Sequence, residues 1–345
     1  MTRPDGLLLA GDLGATKTTL AVYQAAAWPG PPLSQQTFRN RDFAEFDHLL
    51  GEFLATGQPV PATICLGVAG PVLANAVRMT NLDWSITAAA LQARFGFLRV
   101  DLINDLVATA AGIPHLAPED VHSLNPGEQA EDAALAVLAP GSGLGEAFLV
   151  PYRGRSFPCP SEGGHASFAP RNAEQSELLA FMRRRHDHVS VEQVCSGLAI
   201  PELLTFVATT QPTPDWLQAE LDEAVDRTPV IVRAAIQAVQ GGRPCTIAVH
   251  TLNLFLDILA DEAANLALKT LALGGLFLGG GLAARLLPLI DAQRFMAVFA
   301  RGTYREMLSR IPVRVIANPQ TALLGAAAYG IDALRHDPAV SSDRV

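Results

Sequence analysis

A strand, glycine-rich turn and strand that occur twice constrain the fold of this chain most. The first copy spans residues 7–23, with the glycine-rich stretch at 11–17 between two apolar runs. The second copy spans residues 134–152, with its glycines at 141–145. Each copy predicts a β-hairpin with a tight turn. We therefore expect two similar halves, each offering backbone N–H groups to one shared ligand.

The first turn is not a Walker A loop. That motif needs glycine directly before lysine and a helix after it, whereas Thr16 precedes Lys17 and a strand is predicted to follow. A hairpin turn that binds no ligand stays open as the alternative. Elsewhere predicted strands and helices interleave, which indicates an α/β layered architecture.

Composition excludes several classes of protein. The chain has 345 residues, of which 49% are hydrophobic and 17% charged, enough for one large domain or two. Its formal charge is -9 and it has no basic stripe, so nucleic acid is not expected as a partner. The four cysteines are far apart, which predicts neither a disulfide framework nor a zinc cluster.

We expect a soluble, cytoplasmic protein. Residues 1–6 are too short and polar for a signal peptide. The long apolar segment 251–278 contains Asp257, Asp261, Glu262 and Lys269 at helical spacing, which predicts a core helix and not a membrane span.

An acidic residue stands where a predicted strand, 98–103, gives way to an apolar helix that reaches about Gly112. Asn104 and Asp105 occupy this junction. Either residue could simply be a helix N-cap. The alternative is that Asp105 is a catalytic base on a rigid strand end.

Two further acids and a histidine are candidates for binding a polar ligand. Glu162 and His165 flank two glycines in a loop at 158–170, where they are either solvated or bound to one small polar molecule. Glu192 lies in an apparent capping box at 190–193, predicted to open a helix. Similarly, Ser85 is predicted to cap a helix at 86–95. The 186–188 His-Asp-His run is not expected to bind metal.

Three glycines at 279–281 follow a predicted strand and precede a helix. Glycine costs up to about 1 kcal/mol against alanine inside a regular element. A flat ligand or a backbone close by is the usual reason for such a run. Residues 113–131 are rich in proline and acids and are predicted to link the two halves. The last helix is expected at 322–334, and the tail from 335 is expected to be disordered.

Together these motifs resemble the bacterial glucokinase family, in the hexokinase, actin and heat-shock ATPase superfamily, from about residue 7 to about 330. The resemblance rests on these stretches in order: Gly11-Asp12-Leu13-Gly14, Met79-Thr80-Asn81 with Trp84, Ile103-Asn104-Asp105, Gly141-Ser142-Gly143-Leu144-Gly145, Glu162-Gly163-Gly164-His165, Glu192, Gly279-Gly280-Gly281 and Leu323-Leu324-Gly325.

The resemblance implies two actin-like (ribonuclease H-like) α/β domains flanking a central cleft, a smaller one at 1–114 plus 318–345 and a larger one at 115–317. It implies ATP-dependent phosphorylation of glucose to glucose 6-phosphate, with Asp105 as general base, Mg²⁺ held by Asp12 through water, and a homodimer. The implied sugar contacts are Asn81, Asn104, Asp105, Glu162, His165 and Glu192. The implied nucleotide contacts are Gly11, Asp12, Gly14, Thr16, Gly141, Ser142, Gly143, Gly279, Gly280 and Gly281.

This chain departs from the family's usual pattern at three positions. Ala15 and Ser161 stand where the family usually has glycine, and Lys17 stands where it usually has asparagine. These departures leave the sugar and the donor open, so another hexose, an amino sugar or polyphosphate are alternatives. A sugar-responsive regulator is less expected, because six residues before Leu7 leave no room for a helix-turn-helix. An actin-like or chaperone ATPase would not need Glu162 and His165.

Overall fold

The computed structural model describes residues 6–56, 61–79 and 82–336. Its strands are β1 (Leu7–Leu13), β2 (Lys17–Gln24), β3 (Ser34–Arg39), β4 (Thr63–Val68), β5 (Ala76–Arg78), β6 (Ser85–Thr87), β7 (Arg99–Asn104), β8 (Val121–Asn125), β9 (Leu135–Pro140), β10 (Leu144–Tyr152), β11 (Arg155–Ser161), β12 (Gly275–Leu278) and β13 (Val313–Ile316).

The α-helices of the described residues lie mainly in the second half of the chain. They are α1 (Phe46–Leu54), α2 (Ala88–Phe95), α3 (Asp105–Gly112), α4 (Ala173–Met182), α5 (Ile200–Val207), α6 (Asp215–Glu223), α7 (Thr228–Val239), α8 (Thr246–Thr270), α9 (Gly280–Leu286), α10 (Ala292–Phe299), α11 (Arg305–Arg310) and α12 (Thr321–His336).

The described residues form two compact units. The first unit takes the chain up to Pro118, the short piece Ser156–Pro160 and the chain from Asn318 onwards. The second unit takes Glu119–Arg155 and Ser161–Ala317. Each of the two segments of the second unit therefore lies in sequence between two pieces of the first.

The sheet of the first unit has the strand order β3-β2-β1-β4-β7. The pairs β1–β2 and β2–β3 are antiparallel, and the pairs β1–β4 and β4–β7 are parallel. Strand β1 is apolar throughout its first half because both faces of the sheet are covered. Leu7 and Leu9 pack with α1 and α2, while Leu8 and Ala10 pack with α3 and α12.

The sheet of the second unit repeats that arrangement. The strands of this unit follow the order β10-β9-β12-β13-β8, with β9–β10 antiparallel and β9–β12 and β12–β13 parallel. Strands β10, β9, β12 and β13 thus correspond to β2, β1, β4 and β7. Helix α8 supplies much of the core beside it. The prediction of two similar hairpin-led halves is confirmed.

The glycine-rich turns are shorter than predicted. The first stretch was expected to turn from Gly11, but β1 continues to Leu13 and pairs with β2 as far as Thr18. The strand continues because both of its neighbours still offer hydrogen-bond partners there. In residues 113–131, predicted as a link, the edge strand β8 pairs with β13.

Two predicted helix starts are wrong. Ser85 lies in β6, and it is Thr87 that caps α2, accepting a hydrogen bond from Ala90 N at 3.1 Å. At 190–193 the capping-box bonds form, with Gln193 Oε1 accepting from Ser190 N at 2.9 Å, but turns follow instead of a helix. A reciprocal box satisfies local N–H groups whether or not a helix continues.

Candidate active site

Asp105 is the first residue of α3, directly after β7. The N-cap is Asn104, whose Oδ1 accepts hydrogen bonds from Leu106 N at 2.8 Å and Val107 N at 3.4 Å. The Asn104 amide also donates to the Gly70 carbonyl at 3.1 Å. Asn104 therefore caps the helix, and the Asp105 carboxylate lies in the first turn, where the helix dipole stabilises negative charge.

Asp12 lies near Asp105 at the same edge of the sheet. Asp12 is in register with Gly67 on β4, and Gly67 is in register with Ile103 on β7. Burial raises the pKa of Asp12 to about 7, and the negative charge of Asp105 contributes to the rise. Two carboxyl groups that repel each other suit a divalent cation, and Mg²⁺ commonly uses one or two carboxylates plus phosphate oxygens.

A buried asparagine fastens the β1–β2 turn. Asn40, 1% exposed, donates from Nδ2 to the Gly14 carbonyl at 2.8 Å and accepts from Thr18 Oγ1 at 2.8 Å. Gly14 N in turn donates to the Lys17 carbonyl at 3.0 Å. Sequence reasoning missed Asn40. No local signal marks it, because it follows β3 whereas its partners lie in the β1–β2 hairpin. Thr16, at the tip, is exposed.

Gly11 is a glycine because of packing. It is buried in β1, and a Cβ there would be 2.5 Å from Leu66 Cδ2 and 2.8 Å from Leu20 Cδ2. No larger side chain fits without moving these two core leucines.

Glu192 braces the β9–β10 turn of the second unit. Its Oε2 accepts a hydrogen bond from Leu144 N at 2.8 Å, and a Cβ on Gly143 would overlap the same carboxylate. Gly141 N donates to the Gly143 carbonyl at 2.8 Å, and Gly197 N donates to the Gly141 carbonyl at 2.7 Å. Glycine at 143 is thus required by the approach of an acid. Ser142, at the tip, is exposed.

Three of the predicted sugar residues lie together. His165 Nε2 is 4.0 Å from Glu162 Oε2, and His165 Nδ1 is 3.9 Å from Glu192 Oε1. The Glu162 and His165 side chains are 74% and 61% exposed, whereas that of Glu192 is 29% exposed. An imidazole between two carboxylates offers donors and acceptors to the hydroxyls of a polar ligand.

The glycines after β12 serve two purposes. Gly279 N donates to the Leu138 carbonyl at 2.9 Å, which continues the parallel sheet. Gly280 has φ +80°, and a Cβ on it would be 2.9 Å from the Pro140 carbonyl oxygen. A Cβ on Gly281 would meet no neighbouring atom within 4 Å, so space is open beside it.

The histidines of the 186–188 run contact neutral side chains. His186 Nδ1 is 3.2 Å from Gln193 Nε2, and His188 Nε2 is 3.0 Å from Ser167 Oγ. Within 6–56, 61–79 and 82–336, no group of three or more His, Cys, Asp or Glu could hold a metal ion.

Helices in the same described ranges are too short or too polar to cross a membrane. Asn81, a predicted sugar contact, lies outside the described residues.

Comparison with known proteins identifies the family. The family model described as Glucokinase matches residues 9–333. A glucokinase from Nostoc punctiforme is 36% identical over 333 residues, covering 93% of this chain and 98% of that protein. The chain belongs to the glucokinase family. The predicted resemblance and the enzyme class, an ATP-dependent glucokinase, are confirmed.

Solved glucokinase structures agree with this fold. The crystal structure of a glucokinase from an Antarctic psychrotroph has a TM-score of 0.82 and 31% identity, covering 95% of this chain and all of that one. A ROK family glucokinase from Streptomyces griseus, in complex with glucose and AMPPNP, has a TM-score of 0.63 and 21% identity, covering 95% and 100%. The predicted actin-like α/β fold class is confirmed.

Proposed function

We propose that this glucokinase-family protein transfers the γ-phosphoryl group of ATP to the 6-hydroxyl of glucose, with Asp105 as general base. The observation that carries the proposal is the position of Asp105 at the first turn of α3, beside the raised-pKa carboxyl of Asp12. A carboxylate fixed at the end of a buried strand suits a base that must stay within hydrogen-bond reach of one hydroxyl.

The chemistry asked of the protein is positioning and charge compensation. Asp105 accepts the proton of the sugar hydroxyl while the hydroxyl oxygen forms a bond to the γ-phosphorus. The bond from that phosphorus to the β–γ bridging oxygen breaks, and ADP leaves. Asp12 would hold Mg²⁺ through water, which would neutralise charge on the phosphates.

Sugar selection is proposed to rest on Asn104, Glu162, His165, Glu192 and Asn81. The mutual proximity of Glu162, His165 and Glu192 supports this, and the glucose complex of the Streptomyces griseus relative supports glucose as the sugar. A site built to bond hydroxyls rejects an analogue that lacks one more sharply than an apolar pocket does.

Nucleotide binding is proposed at the two hairpin turns and at the glycines after β12. The open space beside Gly281 supports this location, and the AMPPNP complex of the same relative supports ATP as the nucleotide. AMPPNP replaces the β–γ bridging oxygen of ATP by nitrogen, so it is an analogue of ATP. The proposed contacts are Gly11, Asp12, Gly14, Thr16, Gly141, Ser142, Gly143, Gly279, Gly280 and Gly281.

The division into domains at 1–114 plus 318–345 and 115–317 stays a prediction, supported by the two contact units with their nearby boundaries. The homodimer and the cytoplasmic location also stay predictions. Sedimentation of the purified protein would test the homodimer.

The decisive experiment is glucose-dependent ADP release by wild type and Asp105→Asn. Removing a general base lowers kcat by about a hundredfold to ten-thousandfold. Asp42→Asn is the matched control, because Asp42 is an exposed aspartate of the same unit, 3.7 Å from Arg41. If Asp105→Asn keeps most of the wild-type kcat, the assignment of the base is wrong. Glucosamine, mannose and polyphosphate in the same assay test the substrate and donor alternatives.

A further inference from the structure

Glu146 is buried in the second unit without the partners that a buried carboxyl group usually has. It lies on β10, is 3% exposed, and its Oε1 has no hydrogen-bond partner among the described residues. Glu262 on α8 is 4% exposed, and its Oε1 likewise has no hydrogen-bond partner among the described residues. Buried polar atoms rarely lack a hydrogen-bond partner, because nothing then replaces the hydration that they lose on burial. A proton held between the two carboxyl groups would satisfy both oxygens.

The groups around this pair favour a shared proton. Burial and the negative charge of Glu262 together raise the pKa of Glu146 to about 7, while Lys269 and the hydrogen bond from Ser161 act to lower it. Lys269 Nζ is 3.7 Å from Glu262 Oε1, and Asn265 Nδ2 donates to Glu262 Oε2 at 2.9 Å. The Cys195 thiol is fully buried, and burial together with the two acids raises its pKa well above the ordinary value, so it stays neutral.

Ser161 joins this acid pair to the loop that carries two predicted sugar residues. Its hydroxyl accepts a hydrogen bond from Gly163 N at 3.0 Å, so its own hydrogen is directed to Glu146 Oε2, 3.4 Å away. Gly163 opens the 3-10 helix Gly163–His165, directly after Glu162. A Cβ on Gly163 would overlap the Glu146 carboxyl group. The glutamate therefore occupies the space beneath the loop.

We propose that Ser161 and Glu146 are positioning residues, which hold Glu162 and His165 in the conformation that binds the sugar. The inference rests on the proposed function, in which those two side chains contact glucose. Two consecutive glycines give the loop many alternative conformations. The Ser161 hydroxyl and the buried Glu146 carboxyl group select one conformation of this loop. This lowers the entropic cost of binding glucose.

The arrangement also predicts how glucose affinity depends on pH. When Glu146 loses its proton, its carboxylate and that of Glu262 repel each other. The Glu146 side chain then moves relative to Ser161, and the loop above it loosens. Glucose affinity is expected to fall as the pH rises above about 7, with kcat less affected.

The first test compares Ser161→Ala with Ser161→Thr. Loss of the hydroxyl is expected to raise the glucose KM about fivefold and to leave kcat within about twofold, since one net hydrogen bond is lost. Threonine keeps the hydroxyl and should restore the KM. Ser309→Ala, which removes an exposed hydroxyl of the same unit, is the matched control. An unchanged glucose KM in Ser161→Ala would overturn the proposal. So would a fall in kcat and a rise in the KM of ATP as large as the rise in the glucose KM.

The second test follows the glucose KM of Glu146→Gln over about pH 6 to 9, because glutamine keeps the shape but cannot ionise. The wild-type KM should rise above neutral pH, and the variant should lose that rise. Identical profiles would overturn the pH coupling, and if the variant does not fold, Ser161→Ala decides. Calorimetric measurement of glucose binding distinguishes a failure of the proposed function from a failure of the positioning role. A wild type that binds glucose without releasing ADP contradicts the proposed function, whereas an active wild type with unaltered binding in Ser161→Ala contradicts the positioning role alone.

Discussion

Asp12 and Asp105 lie at the carboxyl ends of β1 and β7, separated by the single strand β4, and interact electrostatically. Burial and the charge of Asp105 together raise the pKa of Asp12 to about 7. Without a cation, Asp12 is therefore about half protonated at neutral pH in the folded protein. Because a bound divalent cation would favour the ionised form, the pair links folding, pH and metal binding.

The stability of the wild type should fall between about pH 4 and pH 7 because of this pair. The folded state binds the Asp12 proton more tightly than the unfolded state, so raising the pH through that window favours unfolding. Asp12→Asn removes the effect and should be more heat-stable than the wild type at about pH 8, with a smaller advantage at about pH 5. Melting temperatures measured without divalent cations test this. Glu146, with a pKa also raised to about 7, contributes a slope of the same sign that should persist.

Millimolar Mg²⁺ should raise the melting temperature of the wild type at about pH 8 and should raise that of Asp12→Asn less, since ligand binding to the native state stabilises it. Asp42→Asn should behave as the wild type in both respects. Equal Mg²⁺ responses in the wild type and Asp12→Asn would contradict the proposed metal contact.

Asn40→Ala should loosen the first phosphate turn. The change leaves the Gly14 carbonyl and the Thr18 hydroxyl without their present partner, which costs about 2–4 kcal/mol of unfolding free energy. We expect the KM of ATP to rise more than that of glucose. Denaturant unfolding and initial rates measure both. Gln36→Ala, at an exposed site on β3, is the control, and matching behaviour of the two variants would refute the role of Asn40.

Gly325→Ala should separate α3 from α12. A Cβ at 325 would overlap the Ala108 carbonyl oxygen and lie 2.7 Å from Gly112 N, and backbone atoms cannot rotate away. Overpacking of this kind costs about 3 kcal/mol or more. Because α3 begins at Asp105, kcat should fall too.

Gly51→Ala on α1 is the matched control for Gly325→Ala. The added methyl there meets only Phe95 Cε1 at 4.0 Å, and alanine is the better helix former by about 0.5–1 kcal/mol. Thermal unfolding should show opposite signs for the two changes. A stable, fully active Gly325→Ala would show that the helix contact is less tight than described.

Glu192→Gln and Glu192→Ala should differ. Glutamine keeps an oxygen that can accept from Leu144 N, so only the glucose KM is expected to rise. Alanine leaves Leu144 N without its partner and removes the support beside Gly143, so the KM of ATP should rise as well. Glu223→Gln, on an exposed face of α6, serves as the control. Identical effects of both Glu192 variants on both substrates would contradict a link between the sugar residue and the turn.

The sequence by itself determined the repeated hairpins, the junction of β7 with α3 and the family. These features depend on signals that are local in the chain: apolar runs, glycine turns, and an Asn-Asp pair between a strand and a helix. Gly96 shows how such a signal works, since it ends α2 in the left-handed conformation that glycine adopts readily. The same local signals could not reveal where the first turn begins, because β1 continues only where its neighbours pair with it.

Tertiary structure alone decided what each polar residue contacts. Asn40, directly after β3, reaches Gly14 in the β1–β2 turn. Glu192 accepts from Leu144 N instead of opening a helix, and Glu146 lies beneath Gly163. Each of these contacts joins residues far apart in sequence. Their pairing depends on how the sheets and helices pack, because a buried polar atom takes whichever partner the packing brings within reach.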